Sequence, residues 1–374
     1  MGLKKTIFLA VLWGLMAGSA WGQTYMESFK MGLDKYKNGY FVDAILDFDK
    51  TIGQKKDFAD AYFYKALSYN AIGNYGEALK FFNTAIQFNH KETEFYTNRG
   101  ITYTNLNKNR EALADCDTAI RLSNKNERAY FTRGYLKYLA KDNAGAVDDY
   151  THAIALKKNY NDAYYNRGMA YGILGNYEDA IGDFNRVIEN APKDYRAYIS
   201  RGMAQSHLKK YKEALQDYDS AIAIKPSYVE SYYNKAFTEF EMKDFVSAEA
   251  DYTTVITKQK DYVDAYYNRG LTRYEMKKFE DAESDYTIFL LKHSGDSKAY
   301  FNRALCKEQG GKTAGALEDF SKAIELNPSY VSAYTKRADV KYTAKDLPGA
   351  CADWKKAAEL GSKFAEAKLK QYCK

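Results

Sequence analysis

The sequence predicts an all-α solenoid of tandem helix pairs closed by a short C-terminal helix, and three observations carry that prediction. The heptapeptide DAYYNRG occurs at Asp162–Gly168 and again at Asp264–Gly270, 102 residues or three times 34 apart. Stepping by 34 through Gly168 gives Gly32, Ala66, Gly100, Gly134, Gly202, Ala236, Gly270, Ala304 and Ala338, so all ten steps carry Gly or Ala. Twelve residues further on, the steps give Ala44, Ala78, Ala112, Ala146, Ala180, Ala214, Ala248, Ala282, Ala316 and Ala350, alanine each time. Only four prolines in 374 residues, and no long Gly/Ser tract, argue against flexible linkers between domains.

The first element reads as an export signal over residues 1–22. Lys4 and Lys5 precede an apolar run of 13 residues, Thr6–Gly18, and Ala20 and Gly22 suit a cut before Gln23. That run is well short of the roughly 20 residues that span a bilayer. No cysteine follows it to accept a lipid. The mature chain is therefore expected to be soluble and exported, in the periplasm or outside the cell, with no membrane span. Losing Lys4 and Lys5 lowers the formal charge from +6 to +4, which offers no electrostatic case for nucleic acid.

Ten gapless units then run from residue 25 to 364. In each, the small anchor marks close approach between two helices. Four residues after the second-helix alanine stands a large residue: Phe48, Phe82, Cys116, Tyr150, Phe184, Tyr218, Tyr252, Tyr286, Phe320 or Trp354. Alanine and aromatic share one helical stripe, and a turn such as LGNY (Leu174–Tyr177) joins the two helices. A single unit cannot bury its apolar face, so neighbours must stack. The run Tyr164, Gly168, Tyr171, Ala180, Phe184 and Pro192 resembles the tetratricopeptide repeat family, with Tyr for its usual Trp and Arg167 for its usual Leu. The resemblance covers nearly the whole mature chain. It implies a right-handed superhelix whose concave groove binds proteins or peptides. The tail, 365–374, resembles the capping helix that ends such arrays.

Arg or Lys precedes the anchor in nine units (Met31 is the exception), and an Asp precedes the second-helix aromatic in nine (Phe81 is the exception). Pairing each Asp with its own unit's cation orphans Asp47 and Lys65, whereas pairing with the next unit's cation orphans Arg99 alone. The second scheme is favoured and predicts Asp149–Arg167, Asp183–Arg201 and Asp251–Arg269. An acidic ligand on these arginines is the less favoured reading.

At 100° per residue, the position two before the anchor points away from the core. It holds Asn98, Asn166, Asn234, Asn268 and Asn302 in five units, but Lys30, Tyr64, Thr132, Ser200 and Lys336 in the others. A short amide suits an extended peptide backbone, and the resemblance implies that such asparagines line the groove. A solvated face made uniform by duplication is the alternative. Beside them, six before and five after the anchor, units seven and eight carry Glu230, Glu241, Asp264 and Glu275, an acidic stretch suited to a partner with a basic segment. An ordinary charged face is equally consistent. Aromatics three before the anchor, among them Phe131, Tyr165, Tyr233, Tyr267 and Phe301, are expected to pack between units. The chaperone-binding members of the family want Lys or Asn just after the anchor. Here Leu67, Ile101, Met169, Met203 and Leu271 stand there, so that ligand is not expected.

No catalytic, metal or cofactor constellation is visible. GGKT (Gly310–Thr313) lacks the first glycine of a phosphate loop, since Cys306 stands in its place, and the four histidines fall in different units. Cys351 and Cys373 form a possible disulfide, because exported proteins of this type often end in a similar way and an oxidising compartment permits it. Two buried free thiols remain the alternative. A binding scaffold follows rather than an enzyme, with a glycan- or cell-wall-binding protein and an oligomerising spacer as the alternative readings.

Overall fold

The computed structural model describes residues 24–373, so the export signal read at 1–22 lies outside the described residues. The chain divides into two compact units, one ending at Asn190 and the other beginning at Ala191. The first comprises α1 (24–37), α2 (Phe41–Gln54), α3 (Ala59–Ala71), α4 (Tyr75–Phe88), α5 (Thr93–Asn105), α6 (Asn109–Leu122), α7 (Glu127–Leu139), α8 (Asn143–Leu156), α9 (Asn161–Leu174) and α10 (Tyr177–Asn190). The second comprises α11 (Tyr195–His207), α12 (Tyr211–Ile224), α13 (Val229–Glu241), α14 (Phe245–Lys258), α15 (Val263–Glu275), α16 (Phe279–Lys292), α17 (Ser297–Gln309), α18 (Thr313–Leu326), α19 (Val331–Thr343), α20 (Leu347–Glu359) and α21 (Lys363–Tyr372). Among the described residues there is no strand, and no helix is long and apolar enough to cross a membrane.

Consecutive helices pack in pairs for the reason the period implies. All ten second-helix alanines are fully buried, and so are the Ala anchors at 66, 236, 304 and 338. Where the anchor is glycine the approach is closer still: a Cβ on Gly168 would lie 2.8 Å from the Phe184 ring, inside any normal contact. The turn within each pair reverses through one left-handed residue, Gly175 at φ 82° or Lys141 at φ 65°, and a following Asn or Asp often caps the next helix, as Asp142 does by accepting from the Gly145 amide. The last helix, α21, covers α20 through Ala365, Leu369 and Tyr372 against Trp354 and Ala357. Cys351 and Cys373 are joined there, their Cα atoms 5.8 Å apart. Cys116 and Cys306 are free and buried, and burial pushes both thiols up to about 12.

The expected ion-pair scheme is overturned. Each Asp pairs with the cation of its own helix pair, sixteen residues earlier: Arg133 with Asp149, Arg167 with Asp183, Arg269 with Asp285, each at 2.7 Å between Nη2 and Oδ1. Thus Asp149–Arg167, Asp183–Arg201 and Asp251–Arg269 are not the pairs. The link between neighbours runs instead from the same cation to the residue two beyond the previous Asp: Arg133 Nη1 donates to Asp117 and Arg167 Nη1 to Thr151. One guanidinium therefore ties three helices together. The supposed orphans are both satisfied, Asp47 by Lys35 and Lys65 by Asp49. Lys35 stands three residues after its anchor, a place where Lys137, Arg273, Lys307 and Lys341 add a second cation to the Asp of their pair.

In α13 that second place is reversed in charge. Glu239 occupies it, 5% exposed, with Oε2 lacking a hydrogen-bond partner. Asp251 is left with Lys235 at 3.5 Å, while Lys235 sits closer to Asp219, at 2.8 Å. Burial first, and then the Asp251 charge, push the Glu239 carboxyl up to about 8. Between the ordinary glutamate pKa and that value the native chain holds a proton that the unfolded chain releases. Stability should therefore be greatest below about pH 4.5 as far as this group is concerned, and should fall as pH rises towards 8. We expect Glu239→Gln to remove that slope and to stabilise the chain at pH 8 by about 1–2 kcal/mol after allowance for screening. Denaturant melts at pH 5.5 and pH 8 test this, and an unchanged slope in the variant would refute the assignment.

Candidate functional site

The first helix of each pair, the odd-numbered ones, presents the asparagines and their neighbours. In the second unit, α11, α12 and α13 bound a cavity of about 440 Å³ lined by Met203, Ser206, His207, Lys209, Tyr211, Tyr218, Tyr233, Asn234, Phe237, Thr238 and Glu241. Its apolar members include Met203 and Phe237, which are 43% and 46% exposed and stand just after their anchors. Asn234 is half-buried; its carbonyl accepts from the Thr238 hydroxyl at 3.0 Å, while its side-chain amide has no hydrogen-bond partner within the described residues. A second cavity, about 280 Å³, is lined by Tyr233, Asp264, Tyr267, Asn268, Phe289 and Asp296. Tyr233 is common to both, so the two lie side by side along α13 and α15.

The asparagines are not equivalent. Asn268 donates from Nδ2 to the Tyr233 hydroxyl at 2.7 Å, and Asn302 donates to the Tyr267 hydroxyl at 3.1 Å. Each bond joins one helix pair to the next and fixes the amide's orientation. In the first unit, Asn98 is buried: its Nδ2 donates to the Glu94 carbonyl and carboxylate, and its Oδ1 accepts from Arg128. Asn166, half-buried on α9, lines neither of the two cavities.

The four carboxylates of the acidic stretch divide similarly. Glu241 lines the larger cavity and Asp264 the smaller, whereas Glu230 and Glu275 line neither. Glu230 still acts locally: burial first, then Tyr233, Glu230 and Asp264, push the Tyr262 hydroxyl up to about 12. Within the described residues none of the four has an ion-pair partner, although nearby acids do. Glu249 holds Arg273 at 2.8 Å and Lys278 at 2.5 Å, and Glu283 holds Lys312 at 2.8 Å. These four carboxylates are therefore not held in ion pairs, although Lys209 lines the same cavity as Glu241. Burial first and Asp264 second raise the Tyr233 hydroxyl above its ordinary range, and burial and Asp296 do the same to Tyr267.

The rings three before the anchors pack mainly within their own unit, and their hydroxyls link to the next by accepting from Asn268 and Asn302. Tyr233 lies 5.7 Å from Tyr252 and 5.0 Å from Tyr262, at the end of the same unit, and Tyr267 lies 5.6 Å from Tyr286 and 5.0 Å from Phe289, both on α16. Their rings are engaged edge-on or tilted against other rings, so they present no open stacking platform. Sequence reasoning did not find Asp296 and Phe289 as cavity residues. Asp296 could have been found, because an Asp just before a helical run is an N-cap signal, and it does cap α17 by accepting from the Ala299 amide at 2.8 Å.

Paired helices repeating at a fixed period define a helical repeat protein. Profiles of the tetratricopeptide repeat match residues 29–91, 93–126, 162–194, 195–228 and 297–330, together more than half of the chain. The chain belongs to the tetratricopeptide repeat family. Solved structures with a similar fold include a tetratricopeptide repeat protein from Parabacteroides merdae, 22% identical over 67% of this chain and 96% of that one, with a TM-score of 0.50. The C-terminal part of a repeat-containing protein from Cytophaga hutchinsonii is 20% identical over 63% of this chain and 97% of that one, with a TM-score of 0.52. Pseudomonas aeruginosa PilF is 14% identical over 58% of this chain and 99% of that one, with a TM-score of 0.53. Comparison with curated protein sequences gives no match.

Proposed function

We propose that this chain is an exported scaffold that binds an extended protein segment along the odd-numbered helices of its second unit. In this reading residues 1–22 are a removed signal, 25–364 are ten tandem repeats and 365–374 close the array. The observation that carries the reading is the adjoining pair of cavities on α11–α15, where apolar Met203 and Phe237, the side-chain amide of Asn234 and the carboxylates of Glu241, Asp264 and Asp296 converge, alongside Lys209. An extended segment has backbone amides and carbonyls to satisfy, apolar side chains to bury and, on this face, positive charge to offer. The tyrosines support a protein partner over a glycan, because their rings are packed against other rings. Export is supported by the Cys351–Cys373 bridge, which persists in an oxidising compartment.

The test is in-cell photo-crosslinking from a probe amino acid replacing Phe237, with Val246 on α14, 70% exposed, as the control position. One discrete protein captured at Phe237 and absent at Val246 is expected. Glycan adducts, or no adduct above background, would sink the reading. A mature N-terminus at Gln23 in the same preparation checks export.

A further inference from the structure

The first unit contains an internal example of a ligand contact that the second unit leaves open. Glu94 and Asn98 lie four residues apart on α5, hence on one face. Arg128, from the first helix of the next pair, lays its guanidinium across them. Its Nη1 is 3.1 Å from Glu94 Oε2 and its Nη2 donates to Asn98 Oδ1 at 3.0 Å. Carboxylate and amide oxygen together accept two parallel N–H bonds, the geometry a planar guanidinium requires.

The same two residues recur at the same places on α13 and α15 as Glu230 with Asn234 and Asp264 with Asn268. What differs is the residue in Arg128's place one period on. For Glu230 and Asn234 it is Asp264, an acid that cannot fill the seat. For Asp264 and Asn268 it is Lys298, which is exposed and has no ion-pair partner among the described residues. The second seat is also better built than its counterpart in the first unit. Asn268 has its Nδ2 committed to the Tyr233 hydroxyl, which leaves Oδ1 to accept. Its cavity adds the rings of Tyr233, Tyr267 and Phe289 and a second carboxylate, Asp296. Two oxygen acceptors side by side favour a planar guanidinium, which donates in a fork, over a compact and strongly hydrated ammonium.

We infer that Glu230–Asn234 and Asp264–Asn268 are two seats for arginine side chains of the bound segment, as Glu94–Asn98 is for Arg128. The inference rests on the proposed binding face and specifies the partner's chemistry there. Packed helices lie about 8–10 Å apart and an extended chain advances about 3.3 Å per residue, so the two arginines should be spaced three residues apart. Lys298 adds one positive charge beside the second seat, and the two carboxylates of that cavity outnumber it.

The experiment uses the full mature chain and a labelled twelve-residue Gly/Ser/Thr peptide carrying two arginines three residues apart. Matched peptides carry lysine, or citrulline as the neutral isostere. Fluorescence anisotropy should show the arginine peptide binding at least tenfold more tightly than the citrulline peptide and severalfold more tightly than the lysine peptide. Glu230→Gln with Asp264→Asn should weaken arginine-peptide binding at least tenfold. Asp264→Arg, which puts an arginine where Arg128 stands one seat earlier, should block the first seat and remove acid from the second, with a similar loss and an unchanged melting temperature. Equal binding of arginine and citrulline peptides, or indifference to both variants, overturns the inference. So does an absence of peptide binding; if the Phe237 probe still captures its protein, the binding face stands and only the arginine seats fall. If that capture is absent as well, both readings fall together.

Discussion

Asp285→Ala is expected to destabilise the second unit by about 3–5 kcal/mol, the cost of stripping one partner from a buried charge cluster. The carboxylate is 2% exposed and accepts from Arg269 Nε at 3.0 Å and Nη2 at 2.7 Å, while Arg273 Nη1 lies 2.9 Å away. Removing it leaves the Arg269 guanidinium, 11% exposed, without a counter-charge, and leaves Arg273 with Glu249 alone. The loss is mostly that penalty and not the net worth of the pair. The contrast is Asp117→Ala. Asp117 also pairs with an arginine, at 2.8 Å from Arg133, but its side chain is 62% exposed, so its removal should cost less than about 1 kcal/mol. Denaturant melts of the two variants measure the difference. A loss at Asp285 no larger than at Asp117 would show that water, and not Arg269, is the effective partner.

Trp354→Ala should cost about 3–5 kcal/mol, the range for deleting a large aromatic from a packed core. Trp354 is fully buried, lies 5.6 Å from the Tyr342 ring and 6.0 Å from Tyr372 on α21, and donates from Nε1 to Asp339 at 3.2 Å. Deleting it opens a cavity beneath the closing helix and leaves the Cys351–Cys373 bridge as the main tie holding α21. Because each helix pair in a solenoid contacts only its neighbours, the damage should stay local. Hydrogen exchange should accelerate in α19–α21 and remain unchanged in α11–α15. Uniform acceleration through the second unit would contradict nearest-neighbour coupling.

Much of this architecture was legible in the residues because a period acts on every unit at once. An alanine at Ala180 alone means little, but alanine at all ten equivalent places requires a helix contact too close for anything larger. The aromatics three before the anchors share one angular position, but their rings pack mainly within their own units: Tyr233 on Tyr252, Tyr267 on Tyr286 and Phe301 on Phe320. The ion pairs were misread, although they repeat just as regularly. Asp149 stands sixteen residues after Arg133 and eighteen before Arg167, so sequence separation hardly distinguishes the two partners. Counting orphans then chose wrongly, because Lys35, one turn on from Met31, and Asp49, from the preceding helix pair, stand in for the missing partners.

The binding face was legible only in part. Angular position identified Asn234 and Asn268 as pointing away from the core, and composition identified the carboxylates beside them. It could not show that the Asn98 amide is already held by Arg128 while the Asn234 side-chain amide has no partner among the described residues. It also could not show that Asp296, from the turn before α17, joins Asp264 in one cavity. The sequence by itself determined what recurs locally: helix, turn, anchor, aromatic stripe and the cation–acid inventory, all set by side-chain volume and a 3.6-residue turn. The tertiary structure alone decided which charge meets which and which seats remain open. Those outcomes depend on distances of a few ångströms between helices, to which a linear spacing is blind.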